Sequence, residues 1–162
     1  MNTVRPTGGW VIAASFLLAF VAASIPLPGE LDRFRPDWVA MVLIYWCMVL
    51  PYRIGIGTSW LVGLVVDVGR GALLGQHALA FAALAYLTVQ THRRIRVFSP
   101  WRQTFSVLVF LLIKQFLVFW ISGVIGYPPR DGWYLAPAVG GMIAWPLLFV
   151  ILRDVRRHFQ VT

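Results

Sequence analysis

Long apolar stretches follow one another from residue 10 to residue 152, and only short polar segments separate them. Hydrophobic residues make up 59% of the chain and charged residues 12%, whereas an ordinary soluble domain is about 25% charged. A chain of this composition cannot bury all of its apolar surface against itself, so lipid must surround part of it. We therefore predict an integral membrane protein.

Prolines, glycines and charged residues divide the apolar sequence into six segments, each predicted to be a transmembrane helix of one all-α domain over residues 1–162. The second segment has 13 residues, which rise only about 20 Å against a hydrocarbon core of about 30 Å. Either other helices bury this segment or its loops extend it. The six segments are residues 10–25, 38–50, 56–74, 77–90, 103–125 and 133–152.

The first segment has the features of a secretory signal sequence, because Arg5 precedes it and the small residues Ala22, Ala23 and Ser24 lie near its end. The rest of the chain is apolar as well, which favours a first helix that is retained in the membrane. Six crossings then place both termini on one side.

The arginines predict which side that is. With both termini in the cytoplasm, nine arginines face the cytoplasm and three face outward, as the positive-inside rule requires. The inner set is Arg5, Arg53, Arg93, Arg94, Arg96, Arg102, Arg153, Arg156 and Arg157, and the outer set is Arg33, Arg35 and Arg130. Arginines at 93–96 and 153–157 are also expected to contact anionic headgroups, each contributing about 1 kcal/mol. A cytoplasmic protein contact is the alternative for the segment 91–96.

The third segment carries a special residue at every fourth position: Gly63, Asp67, Gly71 and Gly75. On a continuous helix these residues share one stripe, where small residues allow a neighbouring helix to approach closely. The spacing predicts either packing inside the bundle or a contact with a partner helix through the three glycines.

Asp67 lies about 15 Å from the predicted cytoplasmic edge of the third segment, close to the bilayer centre. An unpaired carboxylate there costs about 2.5 to 3.5 kcal/mol, so the side chain should face the bundle and find a donor. We expect an intramembrane pair with Lys114, which lies at similar depth, or with Arg70, which is one turn away and has the alternative of extending outward. A proton relay is the functional alternative.

Pro36 and Asp37 begin the second segment, where proline suits a helix entry and aspartate suits a helix cap. Their alternative role is an external contact surface.

The sequence has no catalytic constellation, metal-ligand spacing or phosphate loop, so we expect neither an enzyme nor a cofactor. Its arginines cluster at the ends of apolar segments rather than on a basic polar face, which argues against nucleic acid.

Several motifs together resemble the rod-shape-determining MreD family of proteobacterial type. They are the segment FRPDWVAMVLIYW at 34–46, Pro51-Tyr52-Arg53 with Gly55 and Gly57, the glycine and aspartate stripe, and the basic end WPLLFVILRDVRRHF. The resemblance extends over nearly the whole chain.

The resemblance implies an inner-membrane component of the machinery that builds the lateral cell wall. The family works with MreC, with the MreB filament, and with the polymerase RodA and its class B penicillin-binding protein. Its fold is similar to the six-helix S components of energy-coupling-factor vitamin transporters. That likeness leaves a second interpretation open, a subunit that binds a small molecule for a transporter.

Overall fold

A computed structural model describes residues 7–162, and Arg5 of the predicted cytoplasmic set lies outside this range. The described chain forms six α-helices and one short 3₁₀ helix, Gly29–Phe34, and it contains no strand. The all-α prediction is therefore confirmed, with one helix for each predicted segment. The helices are α1 (Gly9–Ser24), α2 (Trp38–Val49), α3 (Ile56–Arg70), α4 (Gln76–Ile95), α5 (Pro100–Ile125) and α6 (Ala136–His158).

Helix α2 is the centre of the bundle. Residues 39–48 are all buried, and Tyr45 and Trp46 are among the largest side chains that are shielded completely. Helices α1, α4, α5 and α6 pack against α2, and Ser59 of α3 lies within 3.7 Å of Cys47. Its 12 residues rise only about 18 Å. Of the two expectations for this short segment, burial by neighbouring helices is therefore the correct one.

Helix α3 ends earlier than predicted, and α4 extends further. Gly71 has φ 61° and Gly75 has φ 104°, left-handed values that residues with a side chain rarely adopt. Gly71 therefore ends α3, and Gly75 precedes the first residue of α4. The apolar sequence continues through Leu73 and Leu74, but the helix does not. A run of apolar residues indicates that their side chains contact other helices or lipid. It does not indicate at which residue a helix ends.

The two ends of the bundle are held together differently. At one end, Arg53 Nη1 in the α2–α3 loop donates to the carbonyl oxygens of Thr7, at 3.0 Å, and Thr162, while Trp10 packs edge-on against Phe159. The loop between α2 and α3 thus ties the N-terminal and C-terminal segments together.

At the opposite end, the 3₁₀ helix packs against α6. Gly140 lies so close to the carbonyl oxygen of Phe34 that a Cβ on the glycine would overlap it. The rings of Phe34 and Trp133 meet edge to face, with centroids 6.1 Å apart. The segment between α1 and α2 is therefore fixed against the start of α6.

The outer surface of the bundle is strongly apolar. Helices α5 and α6 are each long and apolar enough to cross a membrane, and α1 is a shorter apolar helix of 16 residues. Large apolar side chains are exposed on α1, α3, α4, α5 and α6, and none is exposed on α2. Apolar faces of this extent mark contact with lipid or with other proteins.

A buried polar network and the cavity beside it

Asp67 caps the helix that follows its own. Its fully buried carboxylate accepts the backbone N–H groups of Gly75 at 2.9 Å, His77 at 2.9 Å and Ala78 at 3.3 Å. It also accepts the ring Nδ1–H of His77 at 2.8 Å. The first N–H groups of a helix have no partner within that helix, and Gly75 has no side chain to offer them. Asp67 of α3 therefore provides the hydrogen-bond acceptors for the backbone N–H groups at the start of α4.

The predicted pairing of Asp67 with Lys114 or Arg70 is wrong in its partners. Lys114 donates to Asp37 instead. The guanidinium of Arg70 lies 3.9 Å from the Asp37 carboxylate and 3.3 Å from His77 Nε2. The prediction that Asp67 faces the bundle and finds donors is correct. The tight α3–α4 turn places three backbone N–H groups and an imidazole around the carboxylate, which leaves no place for a cation.

Asp37 has two roles at once. One carboxylate oxygen accepts the backbone N–H of Ala40 at 3.2 Å, so Asp37 is the predicted N-cap of α2, preceded by Pro36. The other oxygen accepts from Lys114, which is 2% exposed, while Asp37 is 8% exposed. Burial alone would raise the pKa of Asp37, but the positive charges of Lys114 and Arg70 hold that pKa well below its usual range.

His77 connects the two carboxylates, a role that the sequence did not indicate. Because its Nδ1–H donates to Asp67, its Nε2 is free to accept from Arg70, which fits a neutral imidazole. A continuous polar chain thus runs from Asp67 through His77 and Arg70 to Asp37 and Lys114. The only signal in the sequence was the position of a histidine just after a turn glycine.

A cavity of about 540 Å³ opens beside this network. Its wall comes from the ends of α1, α2, α3 and α6 that lie away from the chain termini, from the segment before α2, and from the middle of α5. Charged side chains line one part, among them Asp37, Arg70 and Lys114. Apolar side chains such as Phe20 and Val66 line the rest. The cavity can therefore hold a molecule with a polar and an apolar part.

Of the three predicted contact glycines, only Gly63 makes a close helix contact. A Cβ on Gly63 would lie 2.6 Å from the backbone nitrogen of Ala78, so this glycine allows α4 to approach α3. Among the described residues, no atom lies within 4 Å of a Cβ on Gly71 or Gly75. Packing inside the bundle at Gly71 and Gly75 is therefore wrong, because both residues lie in the turn between α3 and α4. Contact of these two glycines with a partner helix stays a prediction.

Most of the predicted cytoplasmic arginines lie at the end of the bundle that holds the termini. Arg93 and Arg94 occupy the last turn of α4, Arg96 follows it, and Arg156 and Arg157 occupy the last turn of α6, one turn after Arg153. Their placement in the cytoplasm and their headgroup contacts stay predictions. The sequence did not indicate that Arg53 would bind both terminal segments.

The fold and this polar network define a class of protein: a small all-helical bundle with a strongly apolar surface and buried ionic groups. The family model for the rod shape-determining protein MreD matches residues 4–155. The rod shape-determining protein MreD of Haemophilus influenzae is 30% identical over 156 residues, which cover 94% of each chain. The chain belongs to the MreD family of rod shape-determining proteins. The resemblance drawn from its motifs is thereby confirmed. No solved structure matches it.

Proposed function

We propose that the chain is a non-catalytic scaffold of the inner membrane that is required for rod shape and for lateral peptidoglycan synthesis. The single observation that carries this proposal is the match to the MreD family over nearly the whole chain. The exposed apolar faces of five helices support a role in which the bundle meets lipid and other membrane helices.

The scaffold crosses the membrane six times and keeps both termini in the cytoplasm. Support comes from the end of the bundle where Arg53 meets Thr7 and Thr162, since this end also carries the basic ends of α4 and α6. Reporter fusions after residues 53 and 96 and at the C terminus should be active only for a cytoplasmic reporter. Fusions after residues 30, 76 and 130 should be active only for a periplasmic reporter.

Its partners are MreC, the MreB filament, reached directly or through other subunits, and the synthases RodA and its class B penicillin-binding protein. Because α4 already covers Gly63 and the chain turns at Gly71 and Gly75, a partner helix does not enter along the whole glycine stripe. It packs instead on the outward apolar faces, where shape and dispersion contacts drive association in lipid. Membrane lipids contact those parts of the outward apolar faces that no partner covers.

Depletion in the rod-shaped host tests the scaffold, combined with copurification of MreC. Rounded cells and recovery of MreC with the full-length chain support it. Normal shape after depletion, or failure to recover MreC under conditions that preserve the bundle, contradicts it. A substitution on an exposed apolar face, Leu61→Arg, should reduce recovery or insertion, while Arg130→Gln in a loop should leave both unchanged.

A second candidate is a subunit that binds a small vitamin-like molecule for a transporter, with a fold similar to the S components. The cavity of about 540 Å³ is the observation that favours it. In that case depletion would impair uptake of the molecule and leave cell shape normal, so the same strain separates the two functions.

A further inference from the structure

We propose that the cavity beside Arg70 binds the phosphate group of an anionic ligand. The proposal concerns a binding site and does not depend on the role of the chain in cell shape. It follows from the unused hydrogen-bonding capacity of one arginine, the charge balance of the wall and the two-sided character of the cavity.

Arg70 is held loosely. A guanidinium has five N–H donors, and within residues 7–162 this one makes a single hydrogen bond, to His77 Nε2 at 3.3 Å. Its distance of 3.9 Å to the Asp37 carboxylate is an ionic contact and too long for a hydrogen bond. The side chain is 46% exposed and lines the cavity. Most of its donors therefore meet no acceptor in the described part of the chain and can bind an oxyanion.

The charges on the cavity wall favour an anion. The buried Lys114 is neutralised by Asp37, with which it makes a direct hydrogen bond. At the rim, Arg35 faces Asp32 at 3.6 Å and also donates to the carbonyl oxygen of Ile25 at 3.3 Å. Three cations and two carboxylates line the cavity, and after these pairings the positive charge of Arg70 remains. An arginine fork matches phosphate oxygens in geometry as well as in charge.

The remainder of the wall suits a larger molecule than phosphate alone. Phe20, Val39, Val66 and Pro137 supply apolar surface next to the charged groups. A volume of about 540 Å³ falls in the usual range of small-molecule sites, about 300–1,000 Å³. The ligand class is therefore a phosphate ester with an apolar or glycerol-like part. Both a lipid headgroup and a water-soluble phosphate ester have this chemistry.

Binding to the full-length chain in a neutral detergent tests the proposal. Two probes separate the sources: glycerol 3-phosphate as a soluble ester, followed by calorimetry, and phosphatidylglycerol in mixed micelles, followed by native mass spectrometry against phosphatidylcholine. At least one probe should bind, and Arg70→Gln should weaken its binding about tenfold or more, as loss of a charge-assisted contact predicts. Arg70→Lys should weaken it less.

Arg130→Gln is the matched control, because Arg130 is exposed in the α5–α6 loop, at the same end of the bundle and outside the cavity. It should change binding by less than about twofold. Binding of phosphatidylglycerol alone identifies a lipid headgroup, and binding of glycerol 3-phosphate alone identifies a soluble ligand. Binding of neither probe overturns the proposal, as does an equal loss in the Arg70 and Arg130 variants. If Arg70→Gln does not fold, Arg70→Lys, which keeps the charge but lacks the fork of donors, must weaken binding for the proposal to stand.

Discussion

Asp67 in α3 accepts two hydrogen bonds from His77 in α4, one from its backbone at 2.9 Å and one from its ring at 2.8 Å. The pair joins two consecutive helices at the turn that separates them. A carboxylate deep in an apolar segment is thereby satisfied by the start of the next helix, without a cation. The other nitrogen of the same imidazole, Nε2, accepts a hydrogen bond from Arg70, so His77 connects Asp67 to Arg70.

Substitution of Asp67 by asparagine should destabilise the α3–α4 turn. An amide has one acceptor oxygen, and its NH₂ group would face backbone N–H donors that the carboxylate now satisfies. We expect a loss of about 1–3 kcal/mol in the free energy of unfolding, measured by denaturation in detergent. Asp67→Lys should prevent accumulation of the protein. Asp131→Asn, at an exposed loop residue, is the control, and normal accumulation of Asp67→Lys would disprove the buried cap.

Gly63 and Gly69 offer a matched pair on the same helix. A Cβ at Gly63 would overlap the backbone of Ala78, whereas nothing lies within 4 Å of a Cβ at Gly69. Gly63→Ala should therefore cost about 1–3 kcal/mol through forced separation of α3 and α4. Gly69→Ala should be neutral or stabilise by up to about 1 kcal/mol, because alanine favours the helix. Thermal melting of both variants measures the difference, and equal melting temperatures would contradict this packing.

Gly71 is required for its backbone conformation and not for its small size. Its φ of 61° is left-handed, and space around it is open. Gly71→Asn should be tolerated better than Gly71→Ala, since asparagine adopts this conformation more readily, and alanine should cost about 1–2 kcal/mol. A helix contact at this residue would give the opposite order, because asparagine is larger. Melting temperatures of the two variants decide between the explanations.

Removal of the charge at Lys114 should leave the buried Asp37 without its hydrogen-bonded cation, with Arg70 at 3.9 Å as the remaining positive charge. Lys114→Met is expected to destabilise the bundle by about 3–5 kcal/mol. Adding Asp37→Asn should recover a large part of that loss, because asparagine still caps α2 and carries no charge. A double-mutant cycle on purified protein measures the coupling energy. Additive effects of the two substitutions would show that the ion pair contributes little.

The sequence predicted the number of helices and the cap at Asp37, because these follow from apolar run length, proline and residue chemistry. For the short second segment it left burial by other helices and extension by loops open. It did not predict where α3 ends. Leu73 and Leu74 continue the apolar pattern past the helix, and the left-handed turn is set by backbone angles at Gly71 and Gly75. At this turn the apolar sequence continues after the helix has ended.

The partners of Asp67 could not be predicted for a different reason. The sequence shows only side chains as candidate donors, and these favour Lys114 and Arg70. Three of the four actual donors are backbone N–H groups. Every residue except proline has such a group, so the sequence does not show which of them will bind the carboxylate. Their position depends on how closely α4 approaches α3, and that distance depends on Gly63. The cavity likewise depends on several helix ends that are distant in sequence.

The complete enclosure of α2 has a consequence for biogenesis. The ribosome makes this helix before α4, α5 and α6, which later surround it, and its 12 residues rise only about 18 Å on their own. In the proposed six-span arrangement, α2 would remain at the translocon or in a thinned region of the bilayer until the C-terminal half has been synthesised. Chains truncated before α6 should leave α2 accessible to membrane proteases, even though every residue of α2 is present.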